Sequence, residues 1–352
     1  MSHHPDPTAF RVHDTRFLSL LGPTPTSTLL FENKTYPFAH EAGIYLPSAN
    51  QLIVTSNRLH SDEADPSPRQ KVLITRVNLS TPVSCEELPT SIPMANGGVN
   101  AASGDDSVLI CGQGSLNADA DAASGIYKLS LTPPYRAQLL VGSFHDRPFN
   151  SVNDVVVHSD GSVWFTDPTY GFEQGYRGPP RLPSQVYRWC PPSSSGSESG
   201  VEGKGSIRAM ADGFGKPNGI CFSPDEKTVY VTDTEWLGGD GSVDDARVSS
   251  IYAFDVSIYH GEPFLTNRRL FAMADKGIPD GIKCDQDGNV YSGCGDGINV
   301  WSPGGVLLGR ILLEGGVANF CFGRNGEIFA LNEHRLWKVQ LGGHVRGALL
   351  GI

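Results

Sequence analysis

The chain has 352 residues, 39% of them hydrophobic, and carries a formal net charge of −11. That acidic surface repels phosphate backbones and argues against a nucleic-acid partner. No apolar run approaches the ~18 residues of a membrane span, and Met1-Ser2-His3-His4-Pro5-Asp6-Pro7 lacks the basic and apolar regions of a secretory signal. Seven cysteines are scattered without a Cys-x-x-Cys pair, so reduced, mostly buried thiols and a cytoplasmic location are expected. The 41 glycines and 25 prolines set many turns, and hence many short elements.

Residues 1–25 read as an arm ahead of one large domain over 26–352. Within that domain one pattern recurs: a polar or glycine-containing start, an apolar run, a tight turn, then a second β-rich run. The first copy is His40-Glu41-Ala42-Gly43-Ile44-Tyr45-Leu46, which leads through Ser48-Ala49-Asn50 into Gln51–Thr55. The second starts at Asn96-Gly97-Gly98-Val99 and returns through Val108-Leu109-Ile110. The third and clearest covers residues 153–167, with Asp160-Gly161 at its turn. The fourth covers 217–233 and turns at Pro224-Asp225, and the fifth starts at Pro279-Asp280 and turns at Asp287-Gly288. The sixth runs from Val317 through Asn325-Gly326 to Leu331.

Each copy predicts a β-hairpin. Asp-Gly and Asn-Gly tolerate the positive φ of a two-residue loop, and the flanking Val, Ile, Phe and Tyr suit a pleated, packed surface. Further strand-like runs lie between the hairpins, at 125–129, 184–189 and 250–255, giving four strands per unit. Six such units around an axis make an all-β, six-bladed β-propeller with a central channel. Uneven spacing of the copies predicts loop insertions, one at 191–205 on the rim and one at 237–247 near a mouth of the channel. Little chain follows Asn319, so the last blade is expected to borrow its outer strand from residues near 29–31.

In a propeller the innermost strand of each blade lines the channel, and its first residues sit at one mouth. Glu41, Asn96, Asn153 with Asp154, Asn218, Asp280 and Asn319 should therefore converge. A ring of oxygen donors suits a hard cation such as Ca2+, which takes about 6–8 oxygens at roughly 2.3–2.6 Å. Two carboxylates, Glu41 and Asp280, and two amides, Asn153 and Asn218, would leave positions open for water and substrate. No His/Cys set has zinc-like spacing. There is no Gly-x-Ser-x-Gly elbow and no phosphate loop, and Asp240, Asp244 and Asp245 lack the full calcium-loop pattern. His40, His145 and His334 are the histidines that could approach the channel. Asp167 is expected to support a turn.

These residues also carry a likeness. The run Asn153-Asp154-Val155-Val156-Val157 through Thr166-Asp167-Pro168-Thr169-Tyr170-Gly171 resembles the signature of the gluconolactonase / senescence-marker-protein family. Pro217-Asn218-Gly219-Ile220 and Pro279-Asp280-Gly281-Ile282 match its other two motifs. Residues 149–154, 184–188 and 293–297 bring the chain nearest to the fungal D-lactonohydrolases of the pantonolactone-hydrolase type, and the likeness spans residues 37–340. It implies a catalytic divalent ion, often Ca2+, and hydrolysis of a small-molecule lactone to its hydroxy acid. Carried over by position, Glu41, Asn153, Asn218 and Asp280 fall on metal positions, and Asp280 falls also on the general base. Asp154 or a nearby histidine is the alternative base, and His40, Asn96, Tyr170 and Asn319 are expected to line the channel or the substrate pocket. The chain departs from the family at His40-Glu41-Ala42-Gly43, where many members have Glu-Gly-Pro. Two other outcomes fit the scaffold: another metal-assisted step (phosphotriester hydrolysis, or a ring-forming or isomerising reaction) and a propeller that only binds a protein partner.

Overall fold

A computed structural model of the chain describes residues 9–60, 70–101, 106–116, 122–192 and 205–352. The predicted hairpins form, and each extends into a four-stranded antiparallel blade. Blade 1 runs from channel to rim as Glu41–Leu46, Gln51–Thr55, Ile74–Asn78 and Ser84–Leu88. The innermost strands of blades 2 to 6 are Ala95–Asn100, Val155–Val157, Pro217–Phe222, Ile282–Cys284 and Asn319–Phe322. Each packs on the next, and the last packs on Glu41–Leu46, so the ring of six is closed. The turn glycines take the conformation the sequence implies, with φ of 82° at Gly161, 80° at Gly288 and 82° at Gly326. Most of the 191–205 insertion, and the blade 2 turn at 102–105, lie outside the described residues.

Alternation along the strands sorts the apolar side chains into six clusters, one in each seam between neighbouring blades. Trp164 of blade 3 meets Phe222 of blade 4 edge-on at 5.4 Å, and Tyr45 of blade 1 lies 5.7 Å from Phe329 of blade 6. Full burial of one such side chain stabilises the fold by roughly 1.5–3 kcal/mol. The cysteines behave as small hydrophobes: all seven are free thiols, and Cys111, Cys221, Cys284, Cys294 and Cys321 are buried. No helix among the described residues is long and apolar enough to cross a membrane.

The N-terminal segment holds the ring shut. Thr26–Glu32 pairs with Arg335–Gln340 as the outer strand of blade 6. Ahead of it, Phe10–Val12 adds a fifth strand to the edge of blade 5, and the short helix Arg16–Leu21 lies over the seam between blades 5 and 6. Phe17, Leu20 and Leu21 share one helical face and are buried there. Gly309 makes the space, because a Cβ at that position would come within 2.2 Å of the Phe17 ring. Nothing in the sequence pattern singles out Phe17.

Candidate active site

The inner strands open at one mouth of the channel into a cavity of about 540 Å³, within the size range of small-molecule clefts. His40, Glu41, Asn96, Asn153, Asn218 and Asp280 line its floor, and Tyr170 and the 237–241 loop form part of its wall. Residues up to 240 positions apart in sequence meet because each begins an inner strand of a different blade.

Two local devices hold them there. Asn96, Asn218 and Asp280 are each followed by glycine. A Cβ on Gly97 would lie 2.5 Å from Asn153 O, one on Gly219 2.5 Å from Asp280 O, and one on Gly281 2.3 Å from Asn319 Cγ. Glycine is therefore what lets each polar start bear directly on that of the next blade. The second device is a threonine at the end of the second strand. Thr55 Oγ1 donates to Asn96 O at 3.1 Å, Thr166 Oγ1 to Asn218 O at 2.6 Å, and Thr232 Oγ1 to Asp280 O at 3.0 Å. Each threonine is buried and reaches into the following blade. Thr166 also accepts from Asp154 N at 3.1 Å, and Thr232 from Gly219 N at 2.7 Å. The sequence shows the signal as Val54-Thr55, Phe165-Thr166 and Val231-Thr232, but only the ring geometry gives it meaning.

Asp154 and Asn319 stand behind the cavity. Asp154 Oδ2 accepts from Ile220 N at 3.1 Å and ties blade 3 to blade 4. Asn319 Nδ2 donates to Glu41 Oε2 at 2.7 Å and steers that carboxylate. Asp167 accepts from Asn150 N and Ser151 N at 2.9 and 2.8 Å, which anchors the chain just ahead of Asn153. Of the three histidines, only His40 lines the cavity. His145 meets Phe144 edge-on, and His334 meets Asn33 O.

His40 brings a partner that sequence reasoning missed. Its Nδ1 lies 2.6 Å from Glu333 Oε1, and Asn57 Nδ2 donates to Glu333 Oε2 at 3.1 Å. Glu333 occupies a two-residue hairpin tip with φ of 57°, where glycine is the usual residue. A glutamate in that conformation is the signal that could have found it.

The electrostatics are those of crowded acids. Burial, then repulsion from Glu41, pushes the Asp280 carboxyl well above the usual range. Burial also raises Glu41, against the pull of His40, and raises Asp154. Burial disfavours a charged His40, but Glu333, then Glu41 and Asp280, outweigh it and hold the imidazolium up to about 10. Three buried acceptors lining this mouth, Asn96 Oδ1, Asn153 Oδ1 and Asp280 Oδ1, and Asp154 Oδ1 behind them have no hydrogen-bond partner among the described residues. Among the described residues, no group of three or more His, Cys, Asp or Glu side chains is gathered as metal ligands. The donor set is instead mixed, carboxylates with amide oxygens, which is hard-cation chemistry.

Known proteins share this architecture. Residues 72–328 match the family model described as SMP-30/Gluconolactonase/LRE-like region. The chain is 27% identical over 342 residues to lactonohydrolase oryL of Aspergillus oryzae, covering 93% of this chain and 71% of that protein. It is 28% identical over 239 residues to a gluconolactonase of Zymomonas mobilis, covering 62% and 59%. A solved gluconolactonase from Xanthomonas campestris superposes with a TM-score of 0.69 at 28% identity and 94% coverage of both chains. The chain belongs to the SMP-30/gluconolactonase/LRE-like family.

Proposed function

We propose that this chain is a lactonase that opens a small-molecule lactone beside a divalent cation, Ca2+ being the ion its oxygen donors suit best. The relatives named lactonohydrolase and gluconolactonase support the reaction class. The observation that carries the reading is the set of unpartnered buried acceptors at the channel mouth. Such atoms cost free energy unless a donor or a cation meets them. A propeller that only binds a protein partner needs no such set.

Glu41, Asn153, Asn218 and Asp280 would hold the ion, with Asn319 steering Glu41 and Thr166 and Thr232 fixing the backbone beneath Asn218 and Asp280. When bound, the ion polarises the lactone carbonyl and eases ionisation of water. Asp280 accepts a proton from the attacking water as the new C–O bond forms. Its burial beside Glu41 raises its proton affinity, which favours uptake of that proton.

The ring C–O bond then breaks, and the departing alkoxide needs a proton. His40, held charged by Glu333, would donate it. The proton that Asp280 took restores His40 through solvent, and the hydroxy acid leaves. This makes His40 the acid and Asp280 the base, with Asp154 a structural tie.

A panel of lactones followed by acid release tests the reading. Stereoselective turnover that is lost with chelator and restored by Ca2+ is expected. Absence of turnover on every lactone in the ion-loaded protein would overturn it.

A further inference from the structure

The cavity lining carries both acceptors and donors. The floor presents acceptors: Glu41, Asp280 and the amide oxygens of Asn96 and Asn153. The lining also holds Arg58 and Gln113, together with the acids Glu173 and Asp240. Arg58 is the one Lys or Arg that lines the cavity among the described residues. Its guanidinium is half-buried, and Nη1 donates to Gln70 Oε1 at 3.0 Å. Gln70 is itself oriented, since its Nε2 donates to Gln174 O at 2.8 Å. Arg58 N donates to Asn57 Oδ1 at 2.7 Å, so the residue hangs from the same asparagine that braces Glu333.

Buried Gln113 adds a second donor. It lines the cavity, and its Oε1 accepts from Tyr176 OH at 2.6 Å, so what the side chain has left to offer is its amide N–H groups. Among the described residues no carboxylate pairs with Arg58, and burial works against its charge with only the Tyr176 phenol to assist it. A half-buried guanidinium facing a cavity without a carboxylate partner is costly until an anion arrives. The planar fork of arginine fits a carboxylate with two parallel hydrogen bonds.

We propose that Arg58, with Gln113, is a specificity-determining site for a carboxylate on the substrate remote from the lactone carbonyl, so that the preferred substrates are lactones of dicarboxylic sugar acids or similar carboxylated lactones. This rests on the lactonase reading for its orientation, because a cation held by the floor acceptors would take the reacting carbonyl and Arg58 would take the distal anion. Neutral lactones of the same ring size reach the floor but leave Arg58 unmatched.

The test separates binding from turnover. Calorimetry on the full chain with Ca2+ compares D-glucarate, with two carboxylates, to D-gluconate, with one. The wild-type protein is expected to bind glucarate at least tenfold more tightly. R58Q should abolish that difference while changing gluconate affinity less than about threefold, as one charge-assisted fork is lost. Q113E keeps the Tyr176 bond, places a negative charge beside the distal carboxylate, and should weaken glucarate selectively, with an unchanged melting temperature reporting that it folds. Equal wild-type affinity for the two acids, or an equal loss of both in R58Q, would overturn the proposal. If glucarate selectivity behaves as expected and no lactone is hydrolysed, the anion site stands and the lactonase reading falls.

Discussion

Glu41 and Ile44 stand three residues apart on one strand and are held by opposite rules. Ile44 is buried in an apolar seam with Ile53, Ile110 and Leu129. Glu41 is just as buried, but it sits beside other acids and unpartnered acceptors, with Asn319 donating to one of its oxygens. The seams are built for stability and the mouth is not. The same inner strands supply both, because the first residues of each strand reach the channel before alternation delivers the rest to the seams. Substitutions at the mouth should therefore cost chemistry, and those at the seams should cost stability.

The largest expected effect is on chemistry. Asp280→Asn should lower kcat/KM by about 10³-fold, the range of a lost general base. Its melting temperature in chelator should be unchanged or higher, since a repulsive neighbour of Glu41 is gone. Full activity in that variant would remove Asp280 from its role.

Next comes the seam. Phe17→Ala should destabilise the chain by about 3–5 kcal/mol in urea unfolding, as for a large aromatic deleted from a core, while folded molecules keep the wild-type kcat. Gly219→Ala couples the two regions. Its Cβ would press on Asp280 O, and overpacking typically costs 1–3 kcal/mol. A Ca2+ affinity about tenfold weaker, measured by calorimetry, is expected with it. The smallest effect is Thr166→Val, nearly isosteric, which removes the donor to Asn218 O and the acceptor for Asp154 N. It should cost about 1–2 kcal/mol and show chiefly as weaker ion binding.

Much of the ring was legible because it repeats. The six polar starts are visible in sequence, since each precedes an apolar run and a turn, and in five of the six that turn carries a glycine or asparagine with a physical reason to be there. What was not legible depends on closure. Glu333 lies 293 positions from His40, and the two meet only when blade 6 docks on blade 1. Arg58, Gln70 and Gln113 sit on connecting segments whose mutual approach no periodicity encodes. The threonine struts appear as ordinary β-branched residues, suited to any strand, until the neighbouring blade supplies the carbonyl. Phe17 escapes notice for a similar reason: its helix has only six residues, and its value lies in the space left by Gly309 of a distant strand.

The most direct measurement is a Ca2+ titration of the chelator-stripped chain, followed by calorimetry and by lactone turnover on the same samples. One ion per chain is expected, with turnover rising along the binding isotherm and both signals lost together in Glu41→Gln. Full turnover of a lactone by protein that binds no divalent ion would contradict the account.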